Sequence, residues 1–178
     1  WCKGAATGVM DEPPVVAYMQ ASEPPVVDRL LSAGEWRAET SWPPPGATAR
    51  VLHFTEHARL TEFPDDAEHR ETLVYHPTIG VTGGLWSGGV QYGLPGDQRP
   101  DEAYSVVHTS EPCADELALL GWAFADLVVE TDAPVIGYVV SLSDVAPDGS
   151  SHLIAKGALN ATHRDSRTDP TPVAPGER

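Results

Sequence analysis

The chain has 178 residues, 41% of them hydrophobic, and a formal net charge of −15 from 26 acidic and 11 basic side chains. This length allows one ordinary core, or one domain with a piece of another. Because the acidic side chains are scattered and no basic patch interrupts them, a nucleic acid would be repelled, and we expect no nucleic-acid partner. The 17 prolines and 16 glycines occur without a repeat and favour short strands joined by many turns, so the predicted fold class is all-β.

The first residues predict neither a signal peptide nor a membrane anchor. They lack a charged start before an apolar run, and no window reaches the ~18 apolar residues of a spanning helix. The expected location is therefore cytoplasmic, with no membrane partner. The sequence starts without Met, so we expect it to begin inside a longer protein. Cys2 and Cys113 form no metal-binding motif, which favours reduced, structural thiols.

The first 47 residues predict one strand and a boundary. Val15 to Met19 follow two prolines and have strand-like composition, and residues 28–31 allow one helical turn. Trp36, Trp42 and the proline run at 43–45 interrupt regular structure. We therefore predict two parts, residues 1–47 and residues 48–178.

Later strands are predicted from turn-bounded runs of β-branched and aromatic residues. These runs are residues 50–54, 70–75, 105–109, 123–130, 135–142, 152–155 and 158–162. Residues 114–120 allow either a short helix or the entry to a strand. The sequence Pro147-Asp148-Gly149 predicts a tight turn, and residues 167–178 predict a loop or linker.

Residues 80–100 form a glycine-rich segment that holds seven glycines with large apolar and aromatic side chains between them. Loops of this length in a compact domain are usually functional or disordered, and the aromatic side chains argue against disorder. The segment is therefore predicted to be a functional loop.

Sequence patterns for catalysis and metal binding are weak. No G-x-S-x-G nucleophile elbow is present, and Ser87, in the nearest imitation, is predicted to have no catalytic role. His53 and His57 lie about 13 Å apart if the region is a strand, too far for one metal ion. Asp144 and Asp148 bracket a turn, which is more often a strand connection than a calcium site, although calcium stays open. We expect no cofactor and assign no metal ligand.

Several ordered motifs in the second half of the chain carry a resemblance. They are Tyr-Gly-Leu-Pro-Gly-Asp-Gln-Arg-Pro-Asp at 92–101, Val-Val-His-Thr-Ser-Glu-Pro at 106–112, Ser-Asp-Val-Ala-Pro-Asp-Gly at 143–149 and the run at 156–166. Together they are similar to the C-terminal jelly-roll domain of the X-prolyl dipeptidyl-peptidase and cocaine esterase family of serine hydrolases. Residues 1–47 resemble the tail of the α/β-hydrolase domain that precedes it. The resemblance implies a jelly-roll β-sandwich, incomplete at its C-terminus, after a short hydrolase tail.

The resemblance implies a non-catalytic role for this chain. The family's catalytic triad should lie upstream of Trp1, so no triad residue is assigned, and whether the chain is itself an enzyme stays open. The implied partner is the α/β-hydrolase domain of the same protein, whose substrate cleft would be walled in part by Leu85, Trp86, Tyr92, Asp97 and Gln98. Packing of the aromatic residues at the sandwich end is the other interpretation of these side chains.

Two further possibilities stay open. Open sheet edges of an incomplete sandwich could pair with a second copy and give a homo-oligomer. Jelly rolls with exposed aromatic side chains also serve as carbohydrate-binding modules, and five tryptophans permit that alternative. A flat aromatic platform would favour sugar, whereas aromatics beside a broad apolar patch would favour a docked hydrolase domain.

Overall fold

The computed structural model describes residues 3–84 and 95–176, and nearly every regular element in them is a strand. The strands are β1 (Val15–Gln20), β2 (Gly34–Glu39), β3 (His53–Thr55), β4 (Arg59–Thr61), β5 (Thr109–Ser110), β6 (Gly137–Val145) and β7 (Ser151–Asn160). The described helices are single turns, namely α1 (Arg99–Glu102) and the 3-10 turns Val9–Asp11 and Ala161–His163. The all-β fold class is confirmed and is consistent with a β-sandwich. The jelly-roll topology and the incomplete C-terminus stay predictions.

The chain divides into two compact units. The first unit comprises Trp1–Glu23, Asp28–Thr82 and Pro100–Gly121, and the second comprises Pro24–Val27, Gly83–Arg99 and Trp122–Arg178. The first unit holds β1 to β5, and the second holds β6 and β7. Within the described residues, no helix is long and apolar enough to cross a bilayer.

The first sheet of the first unit is the antiparallel pair of β1 and β2. The predicted strand at Val15 to Met19 is confirmed as β1. The prediction that Trp36 interrupts regular structure is wrong, because Trp36 lies inside β2. Tyr18 lies opposite Trp36, and their ring centroids are 5.2 Å apart. Gly34 permits this arrangement, because a Cβ there would lie 2.2 Å from the Met19 carbonyl oxygen and 3.0 Å from the Tyr18 ring.

The second sheet of the first unit has the order β3-β4-β5, with β3 and β4 antiparallel and β4 and β5 parallel. The turn between β3 and β4 places His57 and Ala58 at φ values of 60° and 57°, a left-handed conformation that non-glycine residues rarely adopt. The predicted strands at 50–54 and 105–109 survive only as β3 and the two-residue β5.

The second unit is organised by the antiparallel hairpin of β6 and β7. The predicted turn at Pro147-Asp148-Gly149 is confirmed, with Gly149 at φ 82°. The predicted strands at 152–155 and 158–162 form one strand, β7, because pairing to β6 carries it through Gly157. The last described residues also bond to this unit, since Val173 donates its amide to Pro134 O at 2.9 Å and Gly176 donates to Thr131 O at 3.0 Å.

Three predicted elements are wrong. Residues 70–75 and 123–130 form no strand, and residues 28–31 form no helical turn. Residues 123–130 have strand composition, but a strand also needs a hydrogen-bonded neighbour, which the composition of a segment does not report.

The chain buries little apolar surface. Among the described residues the buried hydrophobic side chains are Leu153, Ala161 and Val173. Large hydrophobic side chains such as Phe124 (85% exposed) and Tyr75 (84% exposed) therefore remain available for contact.

Candidate functional site

The candidate site is the base of the glycine-rich segment, defined as Gly83, Gly96, Asp97, Gln98 and Ser151, all in the second unit. Of the five predicted cleft-wall residues, Asp97 and Gln98 lie here. The other three, Leu85, Trp86 and Tyr92, lie outside the described residues, as does Ser87.

Gln98 joins the two ends of the glycine-rich segment. Its side chain is buried, at 4% exposure, and Nε2 donates to Gly83 O at 2.7 Å and to Gly96 O at 2.8 Å. The Gly96 amide also donates to Gly83 O at 3.1 Å. Three hydrogen bonds therefore hold residues 83 and 96 together.

Asp97 attaches this base to the β6–β7 hairpin. Its carboxylate accepts from Arg99 Nε at 2.8 Å and from the Ser151 amide at 3.2 Å. The Gln98 amide donates to Ser151 O at 3.0 Å, so both backbone groups of Ser151 bond to residues 97 and 98. Ser151 is fully buried. Because the backbone N–H and C=O of Ser151 are satisfied in this way, the base is fixed to the first residue of β7.

The turn of the hairpin lies beside the same base. Asp148 Oδ1 accepts from the Ser150 hydroxyl at 2.7 Å and from the Ser150 amide at 2.9 Å. These bonds, the side-chain one first, lower the pKa of Asp148, and the positive charge of Arg99 contributes. The Asp148 carboxylate therefore stabilises the turn. The calcium question at Asp144 and Asp148 stays open.

The contacts of Asp97 make its ionised form part of the folded state. Hydrogen bonds from the Arg99 side chain lower its pKa from 3.8 to about 2; burial opposes them, and the amides of Arg99 and Ser151 assist. A depressed folded-state pKa means that this stabilisation is present above the unfolded-state pKa and is lost as pH falls through about 2.

We predict that stability falls by about 1 to 2 kcal/mol between pH 4 and pH 2 through this group, after allowance for solvent screening. Urea unfolding at a series of pH values measures it. The variant Asp97→Asn should lose this part of the pH dependence, whereas Asp132→Asn, an exposed position of the same unit, should keep it. An unchanged acid slope in Asp97→Asn would contradict the assignment.

Histidine and serine side chains form no catalytic arrangement in the described ranges. No serine hydroxyl in residues 3–84 and 95–176 is hydrogen-bonded to a histidine, and the same ranges hold no group of three metal-ligating side chains that could bind an ion. His53 lies in β3 and His57 in the following turn. His69 Nε2 lies 2.6 Å from Asp65 Oδ2, a hydrogen bond that ties residues 65 and 69 together.

A second surface, in the first unit, was missed at the sequence level. A shallow groove of about 350 Å³ is lined by residues 72–76 and 103–106. We call its aromatic and apolar side chains the aromatic patch. They are the exposed Leu73, Val74, Tyr75, Tyr104 and Val106 and the half-buried His76. The His76 and Tyr104 rings stack with centroids 4.3 Å apart and planes 11° apart, and Thr78 Oγ1 lies 2.8 Å from His76 Nδ1.

The sequence signal for the aromatic patch was the run of residues 70–75, which predicts a strand. Side chains on such a strand would be half-buried, whereas Val74 is 77% exposed and Tyr75 is 84% exposed. The broad apolar surroundings match the expectation for a protein-docking surface better than that for an isolated platform.

Comparison with known proteins decides the family. The model of the X-Pro dipeptidyl-peptidase C-terminal non-catalytic domain matches residues 7–178. The chain belongs to this family. The resemblance found in the sequence motifs is thereby confirmed.

The relatives of this non-catalytic domain are longer proteins. A proposed serine esterase of Mycobacterium bovis is 27% identical over 175 residues, which is 96% of this chain and 26% of that protein. A cocaine esterase of a Rhodococcus species is 28% identical over 163 residues, 83% of this chain and 28% of the relative. The chain thus spans about a quarter of the length of these relatives. No solved structure matches it.

Proposed function

We propose that this chain serves as the C-terminal, non-catalytic portion of a serine hydrolase, an acyl esterase or X-Pro dipeptidyl-peptidase, and packs on its α/β-hydrolase domain. The observation that carries the proposal is the exposed apolar surface of a domain from a non-catalytic family. Side chains such as Phe124 and Val128, each 85% exposed, have to be covered before the chain reaches ordinary packing. The hydrolase domain is the partner that family membership supports.

The docking surface we propose is the aromatic patch. Exposed aromatic side chains with apolar neighbours form the buried centre of protein interfaces, because they bury large area at low entropic cost. The stacked rings of His76 and Tyr104 hold the centre of the patch in place. Around them Leu73 and Val74 are 57% and 77% exposed, respectively.

The glycine-rich segment and its base have the second proposed role. Leu85, Trp86 and Tyr92 would form part of the wall of the substrate cleft, and apolar walls of this kind select acyl groups by burial. Asp97 and Gln98 would act indirectly, because their side chains bond to Arg99, Gly83 and Gly96. They would fix the ends of the segment instead of contacting substrate. The boundary at residues 47 and 48, and a cytoplasmic location, belong to the same proposal.

A carbohydrate-binding module is the second candidate. The His76–Tyr104 stack favours it, because a ring that is held in place presents one flat face to a sugar. Titration with a soluble β-glucan oligosaccharide tests it. Binding that is lost in Tyr104→Ala would favour this candidate over protein docking.

The non-catalytic role predicts that the chain alone is inert. We expect no hydrolysis of a p-nitrophenyl ester or of a p-nitroanilide dipeptide ending in proline, and no labelling by a fluorophosphonate probe, because no nucleophile elbow is present. Mass spectrometry of the probe-treated chain measures labelling. A known serine hydrolase in the same tube controls the probe. Stoichiometric labelling of any serine, Ser87 first, would contradict the proposal.

A further inference from the structure

The aromatic patch contains a group that can change its charge near neutral pH, and that group is His76. The described residues that line the groove are Thr72, Leu73, Val74, Tyr75, His76, Ala103, Tyr104, Ser105 and Val106. The acidic residues next to the two lining segments, Glu71, Asp101 and Glu102, lie outside this lining. Tyrosines ionise only near pH 10, so among the described lining residues His76 alone titrates between about pH 5 and pH 8.

Two contacts hold the His76 ring in place within the patch. The ring is half-buried and stacks on Tyr104, with centroids 4.3 Å apart and planes 11° apart. Thr78 Oγ1 lies 2.8 Å from His76 Nδ1. Neither contact supplies a negative charge, because the hydroxyl and the tyrosine ring are both neutral in this pH range. In the part of the chain that the structure describes, a protonated His76 is therefore given no carboxylate as a counter-ion.

A second histidine, at the other end of the groove, has different surroundings. His108 Nε2 lies 3.2 Å from Glu71 Oε2, and the His108 side chain is 8% exposed. The pair joins the two chain segments that line the groove, because Glu71 directly precedes one segment and His108 follows the other by two residues. His108 is thus already buried and has a carboxylate to balance its charge. A protein that covers the groove would change the surroundings of His76 far more than those of His108.

Docking on the patch would remove water from the His76 ring. An imidazolium that loses its water without gaining a counter-ion is costly, whereas a neutral imidazole fits an apolar interface. The stacked Tyr104 ring attracts the cation, but one cation–π contact is weaker than the desolvation penalty of a buried charge. The neutral form of His76 is therefore the form compatible with docking.

We propose that protonation of His76 weakens docking of the hydrolase domain on the aromatic patch. The inference rests on the proposed function and adds regulation to the same surface. Its sign follows from linkage, because a complex that requires the neutral form releases a proton when it forms, so affinity falls as pH falls. An ordinary imidazole is about nine-tenths neutral at pH 7.5 and about one-tenth neutral at pH 5.5, which sets the expected loss of affinity at about tenfold.

The test titrates the full chain with the Mycobacterium bovis relative, expressed without the 26% of its length that matches this chain. From pH 7.5 to pH 5.5 the dissociation constant should rise about tenfold more for the original chain than for His76→Phe, which keeps a ring beside Tyr104 but cannot take up a proton. His53→Phe, on β3 and outside the lining, is the matched control and should keep the pH dependence of the original chain.

The outcomes of this titration separate the inference from the proposed function. Binding with the same pH dependence in the original chain and in His76→Phe would overturn the inference and leave docking intact. No binding at either pH would overturn the docking proposal and the inference together. His76→Gln, which is neutral and polar, should behave as His76→Phe does, so the result does not depend on one variant. Circular dichroism of each variant at both pH values separates loss of docking from loss of folding.

Proton release gives a second readout, which a merely structural role of His76 would not change. Calorimetry near pH 6 in two buffers of different ionisation enthalpy counts the protons released when the complex forms. The original chain should release roughly three-quarters of a proton more than His76→Phe. Equal proton counts for the two chains, or uptake of a proton by the original chain, would contradict the inference, because docking would then tolerate or favour the charged ring.

Discussion

Replacing Gln98 with alanine is expected to lower the free energy of unfolding by about 2 kcal/mol. The side-chain amide is buried and donates to the carbonyls of Gly83 and Gly96. Truncation removes both bonds and leaves the Gly96 carbonyl oxygen without this donor. Pro95 and Gly96 are themselves buried. An acceptor stranded in this way costs more than the net value of an ordinary hydrogen bond. Urea unfolding of the full chain measures the loss.

Hydrogen exchange locates the effect. The Gly96 amide bonds to Gly83 O at 3.1 Å, so it reports directly on whether the two ends of the glycine-rich segment stay together. A loss of about 2 kcal/mol corresponds to exchange about 30 times faster at this amide. The matched control is Gln20→Ala, because Gln20 is an exposed glutamine at the end of β1 in the other unit. Gln20→Ala should change neither the free energy of unfolding nor the exchange rate of the Gly96 amide appreciably.

The variant Gln98→Glu separates hydrogen bonding from packing. Glutamate has nearly the volume of glutamine, but its carboxylate would face two carbonyl oxygens and can donate to them only when protonated. We expect it to be less stable than Gln98→Ala at pH 7 and to recover when the pH approaches 4. Equal stability of the glutamate variant and the original chain at pH 7 would show that Gln98 does not hold the base by donation.

These hydrogen bonds show where sequence reasoning reached its limit. The motif at 92–101 identified Asp97 and Gln98 as functional residues, but it assigned them to a cleft wall. The structure gives them bonds to Gly83 and Ser151. Ser151 had no sequence signal, because a serine after a tight turn is usually a surface residue. Its burial follows from contacts with residues 97 and 98, which are distant in sequence.

A predicted strand forms only where the fold gives it a hydrogen-bonded neighbour, and this decides which strand predictions are correct. The run 135–142 was predicted correctly in essence because its partner follows it at once across a tight turn. The run 123–130 has equally strong composition, yet it has no ladder in the structure. Composition indicates that a segment fits a pleated, half-buried surface, and only tertiary structure supplies the neighbour. The local hairpin could therefore be predicted, whereas the longer-range pairing could not.

Addition of a hydrolase domain is expected to produce the largest change in this chain. Alone, the chain buries few apolar side chains in its described residues, so it should bind a hydrophobic dye strongly. The partner to test is the Mycobacterium bovis relative, expressed without the 26% of its length that matches this chain. At a concentration 100 times the dissociation constant, binding stabilises the chain by about 2.7 kcal/mol. For a protein of this size the midpoint of thermal unfolding should rise by about 5 to 10 °C.

The aromatic patch can be tested within the same titration. Val74→Asp places a charge among the exposed side chains of the patch, where docking would have to desolvate it, so affinity for the hydrolase domain should fall at least tenfold. Val135→Asp is the matched control, because Val135 is also a mostly exposed valine, at 64%, but lies in the other unit. Equal losses in the two variants would mean that docking uses a different surface. If the hydrolase domain leaves both dye binding and unfolding temperature unchanged, the proposed docking is wrong.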